Sequence, residues 1–372
     1  MYPAVFPKIQ TESTIRCWAD DRRVIWCLLS VIVPCLFCWS KFAYAHTHEK
    51  PRLRMIGKTP WVPFSHYTLA RADHSEIDLF IARATRPAPT IVVFGGSKCL
   101  PVVMLRQERT VSALMFFADL AKQQDRVNVV VVEKRGLKSF GPPPESQEMA
   151  ERMMQDAFSS GLYLKATRVN DGVAVVQALL ADGSFQGIHL VGHSEGADIV
   201  SGICRRIAGR GIKSVALMAG AGPTRFFEAS CRGRQETGAL GVKTILDQEI
   251  FLSTTGNAKT PEQLQSVTYG LTSSPLDDLR GLNIPLFVAH GDADTKVPIA
   301  AADLFAAEMF RYQNQPLTYL MLPGLDHGFV DQKETDHSGA VLDYYVTWML
   351  SGASGRSTKI GLLAAPVNKN VN

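Results

Sequence analysis

Gly192-His193-Ser194-Glu195-Gly196 sets a hydroxyl between two glycines, where a run of strand formers ending at Val191 meets a helix-like stretch from Ala197 to Arg210. Glycines two residues before and two after a serine permit a very sharp strand-to-helix turn, which lifts the hydroxyl clear of its own backbone and points it at a substrate. Serine is a poor nucleophile at neutral pH. It needs a histidine to take its proton and an acid to orient that histidine. Both types follow downstream, each just past a strand-like run. Pro285 to Ala289 leads into His290-Gly291-Asp292-Ala293-Asp294-Thr295-Lys296-Val297-Pro298, and Leu317 to Leu322 leads into Pro323-Gly324-Leu325-Asp326-His327-Gly328-Phe329. Serine, aspartate and histidine in that order suit attack of an activated hydroxyl on a carbonyl carbon.

From about Ser65 to Leu350 the chain resembles the α/β-hydrolase superfamily. Members of that superfamily carry a glycine-flanked serine after the fifth strand, Gly-x-x-Asp-x-x-Val after the seventh and Gly-x-x-His after the eighth. The matching positions are Ser194, Gly291 to Val297, and Gly324 to His327. The resemblance implies an α/β fold with a mostly parallel central sheet, helices on both faces and a small cap. It also implies Ser194 as nucleophile, Asp294 as acid and His327 as base. Asp292 is the alternative acid. His337 is the alternative base, read as an exposed residue opening the last helix. Two backbone donors must hold the oxyanion. The resemblance assigns them to the N–H of Glu195 and to the loop Gly95-Gly96-Ser97-Lys98-Cys99, through Ser97 or Gly96. Many relatives have His-Gly where this chain has Gly95-Gly96. The expected substrate is a small acyl compound, with no metal and no organic cofactor. Gly-His-Ser-Glu-Gly is similar to the carboxylesterase and serine-aminopeptidase-like branches, and a carboxylesterase is the default. No propeller-sized N-terminal domain precedes the motifs, which disfavours a large oligopeptidase. The rival class is a noncatalytic binding protein on the same fold.

Strand-like and helical segments alternate in the way that builds a parallel sheet covered on both faces. Tyr67 to Arg71 and Ile77 to Ala82 read as an antiparallel opening pair. Strands follow at Ile91 to Phe94, Val127 to Val132, Ile188 to Val191 and Ser214 to Met218, with helices near Glu108 to Gln123, Glu145 to Phe158 and Leu164 to Leu180. Glu133-Lys134-Arg135-Gly136 reads as a scaffold turn, and His189 and His193 as packed scaffold groups. Residues 220–282 break the alternation. They read as a cap insertion, with a glycine-containing region from Arg232 to Gly241 and a helix near Val242 to Phe251. The last helix runs near Gly339 to Leu350, the main domain spans 46–351, and 352–372 reads as a flexible tail.

The chain has 372 residues, 46% of them hydrophobic, enough for a sizeable core in one large domain. The net charge of +4 is spread along the chain, with no basic tract interleaved with aromatics, which argues against nucleic acid. Arg22-Arg23, an apolar run from Val24 to Trp39 and the small-x-small site at Ala43 to Ala45 have the layout of a secretory signal over residues 1–45. The run is interrupted by Pro34 and falls short of the roughly 20 residues a spanning helix needs. It therefore predicts an exported, periplasmic or secreted protein; membrane attachment through uncleaved residues 24–39 is the alternative. Cys99, Cys204 and Cys231 remain after cleavage. One arrangement is a Cys99–Cys231 disulfide with Cys204 buried, and the other is three inert thiols.

Overall fold

The computed structural model describes residues 52–71, 73–98, 100–159, 164–255, 273–311, 316–352 and 359–362. The proposed signal or anchor, 1–45, lies outside them. So does Cys99, and with it the Cys99–Cys231 pairing; Cys204 is buried and, like Cys231, carries a free thiol.

Uninterrupted apolar runs such as Val129-Val130-Val131-Val132 and Ile91-Val92-Val93-Phe94 suit only strands covered on both faces, because side chains alternate across a sheet. The structure bears this out. Ile91, Val93, Val129 and Val131 join one hydrophobic cluster, and Val92, Phe94, Val130 and Val132 join the other. The central sheet takes the order β1-β2-β3-β7-β4-β8-β9-β10-β11-β12. Its members are β1 (Leu53–Lys58), β2 (Ser65–Ala70), β3 (Glu76–Ala82), β4 (Pro89–Phe94), β7 (Asn128–Val132), β8 (Gln186–His193), β9 (Ile212–Met218), β10 (Leu286–Gly291), β11 (Leu317–Leu322) and β12 (Lys359–Leu362). The β1–β2, β2–β3 and β3–β7 pairs are antiparallel. Every pair from β7 onward is parallel.

One face carries α3 (Lys165–Asp182), α4 (Gly196–Ile207) and α8 (Ile299–Arg311). The other carries the short α1 (Phe117–Lys122) and α9 (Ser338–Leu350), whose Tyr345 and Trp348 stack near Phe287 of β10. α2 (Gln147–Ser159) precedes α3.

Two local expectations are corrected, and one segment gains a defined structure. Where a helix was expected from Glu108 to Gln123, a small hairpin forms first, β5 (Met104–Arg106) with β6 (Arg109–Val111). Its two-residue turn puts Gln107 at φ 53, and Phe116, at φ 66, delays the helix to Phe117. Left-handed residues cannot continue a right-handed helix. The glycine-containing region from Arg232 to Gly241 is mostly helix. Here α5 (Arg225–Thr237) and α6 (Ala239–Thr255) form a hairpin that breaks at Gly238, φ 63. A β-carbon on Gly241 would fall 2.1 Å from the Gly233 carbonyl oxygen, so these glycines let two helix backbones touch. Finally, within the tail expected to be flexible, Lys359–Leu362 adds a parallel strand beside β11.

The α5–α6 hairpin and α7 (Pro275–Leu279) occupy the cap interval between β9 and β10; residues 256–272 lie outside the described residues. No helix among the described residues is long and apolar enough to cross a membrane.

Candidate active site

Ser194 stands between β8 and α4 with φ 55, an uncommon backbone conformation for a residue with a β-carbon. The flanking glycines are required by close approach. A β-carbon on Gly192 would lie 2.3 Å from the Gly196 carbonyl oxygen, and one on Gly196 would lie 2.1 Å from that of Phe94. The turn is pinned to the sheet by the Ser194 N–H, which donates to the Met218 carbonyl at 2.8 Å.

The structure brings Ser194, Asp294 and His327 together. Loops leaving β10 and β11 carry the acid and the imidazole to the carboxyl edge where β8 delivers the serine. His327 Nε2 lies 3.0 Å from Ser194 Oγ, and His327 Nδ1 lies 2.8 Å from Asp294 Oδ2. With the proton on Nδ1, the ring donates to the carboxylate and accepts from the hydroxyl. Asp294 Oδ1 takes the N–H groups of Lys296 and Val297 at 2.8 and 2.9 Å. Burial alone would raise the Asp294 pKa. Hydrogen bonding from His290 and His327, together with the Val297 N–H, reverses that and holds the carboxyl well below the usual range. His290 is fully buried; its Nε2 donates to the Val297 carbonyl at 2.8 Å and lies 3.4 Å from Asp294 Oδ2.

His193, next to the serine, donates from Nε2 to the backbone carbonyl of His327 at 3.1 Å. Burial, reinforced by the nearby His327, pushes its pKa down to about 3, so the ring stays neutral and keeps that donor role. His189 is packed against Ser214, 2.7 Å away, and burial brings its pKa to about 4.

The alternative acid and base sit elsewhere. Asp292 Oδ1 accepts the Gly324 N–H at 2.6 Å and secures that turn. His337 does open α9, but it is buried rather than exposed, because its ring packs down to meet Asp331 Oδ2 at 3.0 Å.

Gly96 is the residue of the 95–98 loop that lies against Ser194. A β-carbon there would sit 3.0 Å from Ser194 Cβ and 3.3 Å from Oγ. The Glu195 side chain turns away from the pocket and is buried against Arg168 of α3, whose other guanidinium nitrogen donates to the Gly95 carbonyl at 2.9 Å. One cation thus joins the residue after Ser194 to the loop facing it. Sequence reasoning missed Arg168, whose one local signal is a charge on the largely apolar buried face of its helix, shared only with Asp171. Glu133 is buried and accepts from Val102 N–H and Ser139 Oγ, both at 2.7 Å, bracing the strand-to-loop turn.

A cavity of about 930 Å³ opens over Ser194, with walls that include Leu114, Met115, Phe116 and Val330. Among the described residues, no group of three or more His, Cys, Asp or Glu side chains has metal-binding geometry.

Residues 236–352 match the sequence profile of the prolyl oligopeptidase family, a stretch that holds Asp294 and His327 but not Ser194. No curated protein matches the chain. The Pyrococcus horikoshii acylaminoacyl peptidase is similar at a TM-score of 0.52 uncomplexed, with 14% identity over 77% of this chain and 41% of that one. Its orthorhombic crystal form gives 0.51 with 14% identity over 78% and 41%. Est1E from Butyrivibrio proteoclasticus gives 0.47, with 13% identity over 79% of this chain and 100% of that one. The chain spans 41% of the length of the peptidase, so that likeness concerns the fold. The fold is that of the α/β-hydrolases, as the motifs around Ser194, Asp294 and His327 implied.

Proposed function

We propose that this α/β-hydrolase is an exported serine hydrolase that cleaves a carboxylic ester, thioester or amide, with a short-acyl ester as the first choice. The observation that carries the reading is the unbroken line of hydrogen bonds from Ser194 through His327 to Asp294. In the reaction, His327 Nε2 takes the hydroxyl proton while Ser194 Oγ bonds to the carbonyl carbon. Charge moves onto the carbonyl oxygen, facing the N–H of Glu195 and that of Gly96 or Ser97. Asp294 holds the imidazole in the Nδ1–H tautomer and stabilises its cation. Collapse of the adduct breaks the bond to the leaving group, which departs with the proton from His327. Water then gives a proton to His327 and its oxygen to the acyl carbon; the bond to Oγ breaks and the proton returns to the serine. His193 acts as a positioning residue by fixing the His327 backbone.

The prolyl oligopeptidase profile over residues 236–352 favours a second reading, an aminopeptidase-like peptidase on the same site. A panel of p-nitrophenyl esters of rising chain length beside aminoacyl anilides separates the two.

A fluorophosphonate probe is expected to label Ser194 in the wild type and not in Ser194→Ala. That variant should keep its circular dichroism and lose turnover by at least about a thousandfold. Near-wild-type turnover in Ser194→Ala would refute the assignment, and a noncatalytic protein would form no adduct at all.

A further inference from the structure

We infer that the substrate carries a negatively charged substituent away from the scissile bond, and that Lys98, Arg232 and Lys296 at the cavity rim receive it. The inference rests on the serine hydrolase reading and names the substrate class that site selects.

Five cationic side chains, Lys98, Lys134, Arg225, Arg232 and Lys296, line the cavity above Ser194, against two carboxylates, Asp119 and Asp336. The carboxylates offset part of that charge and leave a positive excess. Asp119 is paired with Lys122 at 2.8 Å, and Asp336 Oδ1 accepts the Ser338 N–H at 2.8 Å. Arg225 lies 3.3 Å from buried Asp198, which neutralises it and ties the cap to α4. Lys98, Arg232 and Lys296 form no ion pair with a carboxylate among the described residues. Arg232 instead reaches the Lys296 carbonyl from the cap, at 3.5 Å. That contact sets the Arg232 guanidinium of the cap against the loop that carries Asp294 and Lys296. Lys98 lines the cavity from the loop whose Gly96 lies against Ser194, and Lys134 donates to its carbonyl. Positive charge therefore flanks the nucleophile from the oxyanion loop on one side and the cap on the other.

Glu228, beneath the same cap helix, does not cancel this field. Burial, with Asp198 and Asp294 close by and against the pull of Arg225 and Arg232, pushes its pKa up to about 8, so at neutral pH it is mostly protonated. A walled cavity with excess charge of one sign concentrates ligands of the opposite sign. A guanidinium and an ammonium spaced along a rim suit a carboxylate, sulfonate or phosphate, through charge-assisted hydrogen bonds. Apolar lining at Leu114 to Phe116 suits a short carbon chain between that anion and the carbonyl.

The test compares esters matched in length: mono-p-nitrophenyl glutarate, which ends in a carboxylate, and p-nitrophenyl valerate, which does not. A p-nitrophenyl ester ending in a phosphate monoester separates carboxylate from phosphate selectivity. The wild type should favour an anionic ester by about tenfold in kcat/KM, mostly through KM, and the preference should shrink as salt is raised. Arg232→Gln with Lys296→Gln should lower the ratio of anionic to neutral kcat/KM by about tenfold, and Arg232→Lys should restore part of it. A wild type that hydrolyses valerate as well as both anionic esters overturns the inference while leaving the hydrolase reading intact. So does a ratio unmoved by the double variant or by salt. If no ester is turned over, protection decides the matter. Glutarate that slows fluorophosphonate labelling of Ser194 at least fivefold more than pentanamide supports the inference, and equal protection overturns it. Absence of labelling removes the hydrolase reading, and this inference with it.

Discussion

Arg168 shows how much a single side chain can hold in place. Its guanidinium is buried, it pairs with Glu195 beside the nucleophile, and it donates to Gly95 in the loop opposite. Arg168→Met would leave the Glu195 carboxylate in the interior without its cation, a loss that costs about 3–5 kcal/mol. We expect a lower urea midpoint and a lower kcat in Arg168→Met, with stability partly recovered in Arg168→Met/Glu195→Gln. Additive losses in the double variant would show that the two residues act separately. Ser194, Asp294 and His327 were legible because each sits in a short linear pattern directly after a strand. Arg168 was not, since its partners lie 27 and 73 positions away in sequence and only the folded sheet brings them within reach. The buried state of His337 was hidden for a different reason: its carboxylate partner, Asp331, is only six positions away but lies on an irregular loop with no periodic pattern to place it.

At the scale of elements, the buried strands were legible because runs of valine and isoleucine covered on both faces have few other ways to fold. The cap helices were harder. Glycine disfavours helix, which kept the stretch from Arg232 to Gly241 from showing a helical pattern, whereas packing between the two helices uses Gly233 of α5 and Gly241 of α6 as contact points. The same helix α5 carries a pH-sensitive group, Glu228. Its pKa rises on folding from an ordinary 4.5 to about 8, because burial disfavours the charged form. A raised carboxyl pKa contributes stability that is complete below about pH 4.5 and is lost as pH climbs through 8. The melting temperature should therefore decline over that window, and Glu228→Gln should flatten the decline and melt higher than the wild type at about pH 9. Parallel melting curves for the two proteins would exclude Glu228 as the source.

On the scale of the whole molecule, one sheet with two apolar faces carries three loops to the same edge, and the chemistry depends on that convergence. The sheet's two edges were not legible: β1, at one end, is largely exposed, and β12, at the other, is a short run far down the chain from its neighbour β11. We propose that residues 1–45 are removed on secretion, supported by Arg22-Arg23, the apolar run to Trp39 and the small residues at Ala43 and Ala45. The intact mass of the protein recovered outside the cytoplasm should begin at His46; a chain that keeps its first residues and sediments with membranes would point to an anchor instead.

The cap helices interrupt the path between two neighbouring strands, β9 and β10, and supply none of Ser194, Asp294 or His327. An interval of this kind can lengthen, shorten or be exchanged without disturbing a single rung of the sheet. Provided residue 225 keeps a cation for Asp198, grafting foreign helices between the two strands is a route to new selectivities on an unaltered reaction engine.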